Sequence, residues 1–171
     1  VTGSNSKMLS KDVATNFRDR GFEIKVYPLS FGEYIEATGL DKSEAFDEYL
    51  IWGGMPRAAL EKKDSARSKY LKDLFAKVYM KDIRERHKLK DDTALERVAD
   101  MLFSTVGSLT SPFNISATLR GQAGLKTTDR TIKKYLDYFD ESFLFSKARR
   151  YDVRGRKYLY FPEKYYAMDL G

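Results

Sequence analysis

Apolar residues recur at three- and four-residue steps through most of this chain and alternate in steps of two only in short stretches. The segment from Val1 to Ser6 reads as a strand end and turn, with Ser10 capping a helix that runs through Val13 to Phe17 and closes at Gly21. Phe22 to Tyr27 alternates strictly, which predicts a strand with one buried face, ended by Pro28. Ser30 to Thr38 and Lys42 to Ile51 read as two short amphipathic helices broken at Gly39. Gly53-Gly54-Met55-Pro56 follows as a sharp turn. Leu71, Leu74, Phe75, Val78, Tyr79 and Ile83 form one stripe of a helix predicted over Lys69 to Arg86. A second stripe spans Leu95 to Val106.

After Gly107 the pattern changes. Ile115, Leu119 and the Gly121/Gly124 pair predict a short helix and a tight turn. Thr127 or Thr128 then caps a helix to about Ser142, with Ile132, Tyr135, Leu136, Phe139 and Phe143 as its apolar stripe. Phe143 to Ala148 reads as a strand, Asp152 to Gly155 as a hairpin tip, and Lys157 to Phe161 as the return strand. Helix, turn, helix and hairpin is the order of a winged helix-turn-helix. The expected fold class is therefore mainly α (α+β), with small sheet elements.

Composition narrows the possible chemistry. The 171 residues are 42% hydrophobic and 14% aromatic, with 12 Tyr and 11 Phe, enough for a packed core. No apolar run approaches the roughly 18 residues of a membrane span, so a soluble, cytoplasmic chain without membrane partners is expected. There is no cysteine and one histidine, His87, which excludes thiol chemistry, disulfides and any site needing two imidazoles. His87 itself reads as a helix-end residue. Val-Thr-Gly-Ser-Asn-Ser at one end reads as the middle of a fold, and Tyr165 to Gly171 at the other as an apolar strand pattern cut at its turn residue, so a fragment is expected.

The net charge of +6 is uneven: residues 108–171 hold 12 Lys and Arg against 7 Asp and Glu, a net of +5. An anionic partner belongs there. Arg130, Lys133 and Lys134 lie off the apolar stripe near the start of the predicted 128–142 helix, the end that a recognition helix offers to base edges. Lys147, Arg149, Arg150, Arg154, Arg156 and Lys157 put six cations in eleven residues of the hairpin against one acid, Asp152. Wings lay such residues along phosphates. A solvated cationic face, or a surface docking on protein, is the competing reading. The run Lys81 to His87 reads as a salt-bridged helix surface, with a hinge role as its alternative.

No GxxxxGK[ST] phosphate loop occurs, nor an apolar strand ending in paired acids, nor a metal-like carboxylate cluster. No catalytic residue, metal site or resident cofactor is expected. Thr2-Gly3-Ser4-Asn5-Ser6-Lys7-Met8-Leu9-Ser10 could place a polar group beside a phosphate, or be an ordinary helix-capping turn.

That stretch, with Arg18-Asp19-Arg20-Gly21-Phe22-Glu23-Ile24 and Val26-Tyr27-Pro28-Leu29-Ser30-Phe31-Gly32-Glu33-Tyr34, resembles a prokaryotic AAA-type P-loop ATPase family with a C-terminal domain of unknown function. Gly53-Gly54-Met55-Pro56, Lys81 to Arg86 and Lys164 to Gly171 continue the resemblance in the family's order, over nearly the whole chain. The resemblance implies that Thr2 to Asn5 is the sensor-1 strand end, with Ser4 or Asn5 facing a γ-phosphate. It also implies that Arg20 reaches nucleotide at a subunit boundary. Asp19 stands where the family has glycine, and a helix C-terminal cation explains Arg20 equally well. ATP and Mg belong, on this resemblance, to the parent protein.

Three segments are thus expected: an ATPase-core remnant over 1–28, a lid-like helical segment over 29–107 and a winged-helix domain over 108–171. The function expected is DNA binding by the winged part of an ATP-dependent switch. Docking on other domains or subunits of the parent ATPase is one alternative, and an internal spacer in a structural or defence-related ATPase is the other.

Overall fold

A computed structural model describes residues 24–89, 93–149 and 162–171. The predicted elements before Ile24, the hairpin tip at Asp152–Gly155 and the return strand at Lys157–Phe161 lie outside the described residues. The described chain is mainly helical with one small sheet. It divides into two compact units: residues up to Asp82 together with Met168–Gly171, and residues Ile83–Ala167. The sequence boundary at 107/108 marks the change in charge, whereas packing divides the chain at 82/83.

The first unit begins with Ile24–Tyr27, which forms no strand. Ile24 and Val26 are 75% and 90% exposed, because the described chain offers this alternating segment neither a ladder partner nor an apolar face. Helix α1 (Phe31–Thr38) starts at a capping box: the Ser30 hydroxyl accepts from the Glu33 amide, and the Ser30 amide donates to the Glu33 carboxylate at 2.8 Å. The Ser30 hydroxyl also donates to that carboxylate at 2.7 Å, and this bond first, then the amide's, holds the Glu33 carboxyl below its ordinary range. Gly39, at φ 69°, ends the helix in the left-handed region. Helix α2 (Lys42–Trp52) is capped by Asp41, and α3 (Pro56–Leu60) follows with Pro56 at its start. Tyr34, Ala45 and Ala59 form the core with Leu29, Phe31, Ile35, Leu40 and Tyr49 around them.

The Gly-Gly turn is where this unit closes. The Leu29 amide donates to the Gly54 carbonyl at 2.7 Å, and the Tyr49 hydroxyl donates to the Leu29 carbonyl at 2.9 Å. The Gly54 amide donates to the Asp169 carboxylate at 2.6 Å. A side chain at Gly53 would overlap that carboxylate, and one at Gly54 would overlap the Leu29 carbonyl. Both positions therefore need glycine for space, and Gly53, at φ 68°, also for conformation.

Helix α4 (Asp64–Asp73) passes into a π-helical stretch, Leu74–Met80, and then α5 (Lys81–His87). The predicted stripe fails locally here. Val78, on the 3.6-residue stripe, is 44% exposed, while Met80, off it, is 2% exposed, because the wider π turn shifts the register.

In the second unit α6 (Thr93–Ser104) buries Leu95, Val98, Ala99 and Leu102. The strand β1 (Leu109–Thr110), absent from the sequence reading, leads into α7 (Pro112–Ala123), capped by Ser111. Helix α8 (Asp129–Glu141), capped by Thr128, buries Ile132, Tyr135, Leu136 and Phe139 as its periodicity predicts. Strands β2 (Phe145–Ala148) and β3 (Glu163–Ala167) complete an antiparallel sheet of order β1-β3-β2. Phe145 pairs with Ala167 and Ala148 with Lys164 across β2 and β3, and Thr110 pairs with Glu163 across β1 and β3.

Gly53→Ala and Gly39→Ala separate space from conformation. Both sites have positive φ, but only Gly53 faces an occupied space. Gly39→Ala is expected to cost about 1 kcal/mol. Gly53→Ala is expected to cost about 2 kcal/mol more, through displacement of Asp169 and loss of its part-buried hydrogen bond to the Gly54 amide. Urea unfolding followed by circular dichroism measures both.

Candidate functional site

Helix α8 carries four acids and three bases on its polar half. Its aspartates are engaged on the protein: the Asp129 carboxylate accepts from the buried Ser116 hydroxyl of α7. Asp140 accepts from the Lys147 amide at 3.0 Å, and Asp137 pairs with the Lys147 ammonium at 3.3 Å. Arg130, Lys133 and Lys134 are exposed, and no described carboxylate lies within ion-pairing distance of them. The three residues that the sequence singled out on this helix are thus brought together on its solvent side.

The hairpin cations divide as well. Lys147 is a structural residue, its side chain only 16% exposed and its charge met by Asp137. Arg149 stands at the mouth of the hairpin, its side chain 68% exposed, and donates to Glu163 at 3.1 Å. Arg150, Arg154, Arg156 and Lys157 lie outside the described residues, as do Ser4, Asn5 and Arg20. His87 stacks on Tyr138, ring centroids 3.4 Å apart, at the end of α5. In the same charged run Arg84 pairs with Glu96 of α6.

Sequence reasoning missed Glu163. It opens β3, where its carboxylate accepts from the Tyr165 hydroxyl at 2.9 Å as well as from Arg149. Register was the missing signal: β3 opens at Glu163, beyond the return strand expected over Lys157 to Phe161, which lies outside the described residues. Burial, then the nearby Glu163 carboxylate, raises the Tyr165 hydroxyl well above its ordinary 10.0. A groove of ≈ 590 Å³ also runs between α6 and α7, with Arg97 and Asp100 of opposite sign on its rim and Met101 and Leu119 in its lining. The described residues contain no cluster of potential metal ligands and no helix long and apolar enough to cross a membrane.

A family model described as Domain of unknown function (DUF8612) matches residues 43–171. The chain belongs to that family. A second model, described as AAA domain, matches residues 1–35. An AAA match followed by a domain of unknown function is the order that the sequence blocks imply. An uncharacterized protein of Haemophilus influenzae is 37% identical over 176 residues, covering 100% of this chain and 44% of that relative. Uncharacterized protein MJ1544 of Methanocaldococcus jannaschii is 24% identical over 181 residues, covering 99% of this chain and 40% of that relative. The chain therefore spans less than half the length of these two relatives. No solved structure matches it.

Lys147→Ala and Lys133→Ala test the division of charges. The first loses the tie to Asp137 and is expected to cost about 1 kcal/mol, whereas the second stays within about 0.5 kcal/mol of the parent in urea unfolding. Tyr165 gives a pH test. Its hydroxyl returns to about 10.0 on unfolding, so the unfolded chain releases that proton first as pH rises. The stability it contributes is present below pH 10 and declines above it. Tyr165→Phe is expected to flatten the fall in stability between about pH 10 and 11 by close to one proton in alkaline unfolding curves.

Proposed function

We propose that residues 83–167 form a winged helix that binds DNA, within a longer AAA-type ATP-dependent switch protein. The observation that carries the reading is the arrangement around α8: helix, strand, two helices and a hairpin closing a sheet of order β1-β3-β2, with the aspartates of α8 held by protein partners and its three exposed cations without a described carboxylate partner. In this reading α8 is the recognition helix, Arg130, Lys133 and Lys134 enter a groove, and Arg149, Arg150, Arg154, Arg156 and Lys157 follow the backbone. Contacts to phosphate supply affinity and no sequence information, so weak, salt-sensitive binding to any duplex is the minimal activity.

The AAA match over residues 1–35 and the greater length of the relatives support the ATPase half. Ser4, Asn5 and Arg20 would sense ATP and Mg there, in a cytoplasmic protein. The chain contributes no more than these to that reading, and no step of nucleotide chemistry runs through its described residues. A second reading, docking on another domain or subunit of the longer protein, is favoured by exposed Phe103, Val106, Leu109, Phe113 and Tyr166 in the same unit.

A fluorescence-anisotropy titration with a short random duplex at two salt concentrations separates the two. The DNA reading predicts binding that weakens steeply with salt. The combined change Arg130→Glu, Lys133→Glu and Lys134→Glu is expected to abolish it at physiological salt with the fold intact. The milder triple-alanine variant is expected to lower the log–log salt slope by about 2 to 3. Absent binding at low salt, or unchanged affinity in the triple-glutamate variant, moves the unit to protein docking.

A further inference from the structure

We propose that Glu163 is a built-in stand-in for phosphate: it holds Arg149 when the hairpin is empty and must yield it when DNA binds. This deepens the DNA-binding reading and rests on it.

Register places the pair. Ala148 faces Lys164 across β2 and β3, so the next position along the ladder sets Arg149 against Glu163. Both side chains share a sheet face with Phe145, Lys147 and Tyr165, because residues two apart on a strand lie on one side. That face packs on α8, and Lys147 reaches Asp137 there. Arg149 lies two residues further along β2, on the face that carries Lys147, and Glu163 is the acid set against it.

The contrast with Lys147 gives the pair its character. Lys147 is largely buried, and its carboxylate partner lies on the helix that the strand packs against, so it locks strand to helix. Arg149 has one described partner, in an exposed pair with a side chain that solvent reaches. The Tyr165 hydroxyl donates to the other oxygen of Glu163 and fixes the carboxylate while leaving its Arg149-facing oxygen as an acceptor. A phosphate oxygen offers a guanidinium the same acceptor geometry and more charge, so exchange costs one exposed ion pair and gains a charge-assisted contact. Glu163 also repels an approaching backbone until that exchange occurs, which weakens binding where contacts are few.

The test is a double-mutant cycle on the full chain, read by anisotropy with a random duplex at low salt. Glu163→Gln keeps an acceptor for the Tyr165 hydroxyl and removes the charge. It is expected to tighten binding about three- to fivefold, the size of one exposed ion pair. Arg149→Ala is expected to weaken binding, and in that background Glu163→Gln is expected to give no gain. A gain that persists undiminished beside Arg149→Ala would mean simple removal of negative charge and overturns the proposal, as does no gain at all. Should Glu163→Gln unfold the chain, the Arg149 Nε–H resonance of the parent protein decides: a shift on duplex addition supports the exchange, and an unmoved resonance with DNA bound overturns it. Wild-type binding that depends on α8 but ignores Glu163 sinks this proposal alone. Failure of both wild type and Glu163→Gln to bind sinks the DNA reading with it.

Discussion

Two carboxylates about one helical turn apart, Asp137 and Asp140, hold Lys147 at both its backbone amide and its ammonium. That double grip fixes β2 against α8, and with it the position of the hairpin. It also decides which charges are left over. The aspartates of α8 are held by Lys147 and by the Ser116 hydroxyl, and its three exposed bases have no described carboxylate partner.

The first unit depends on a different constraint, the absence of two side chains. Gly53 and Gly54 leave space for the Asp169 carboxylate and the Leu29 carbonyl, and four hydrogen bonds meet around that gap. The blocks Gly-Gly-Met-Pro and Asp-Leu-Gly, which carry part of the family resemblance, are one structural feature read in two places. Aromatic packing completes it: Tyr49 both donates to Leu29 and packs at 5.3 Å against Tyr34.

Periodicity made the helices legible. Thr128 announced its cap, and the stripe of α8 appears buried residue for residue from Ile132 to Phe139. The apolar strand pattern from Tyr165 overlaps β3, but its start at Glu163 shows only in the pairing with β2. Strand β1 has two residues, too few for any period. Ile24 to Tyr27 has the strand pattern without the neighbour a strand requires. At the candidate site, exposure of Arg130, Lys133 and Lys134 followed from their place off the stripe. The engagement of Lys147 did not, since a charge count cannot tell a tied lysine from a free one.

The bond from Gly54 to Asp169 spans 115 positions of sequence. Closing so long a loop in an open chain carries a large entropic cost, and that cost falls once residues 83–167 have condensed and drawn the loop's ends together. During synthesis Leu29 and Gly54 emerge long before Asp169, so the turn's bond to that carboxylate can close only once the residues between them have been made.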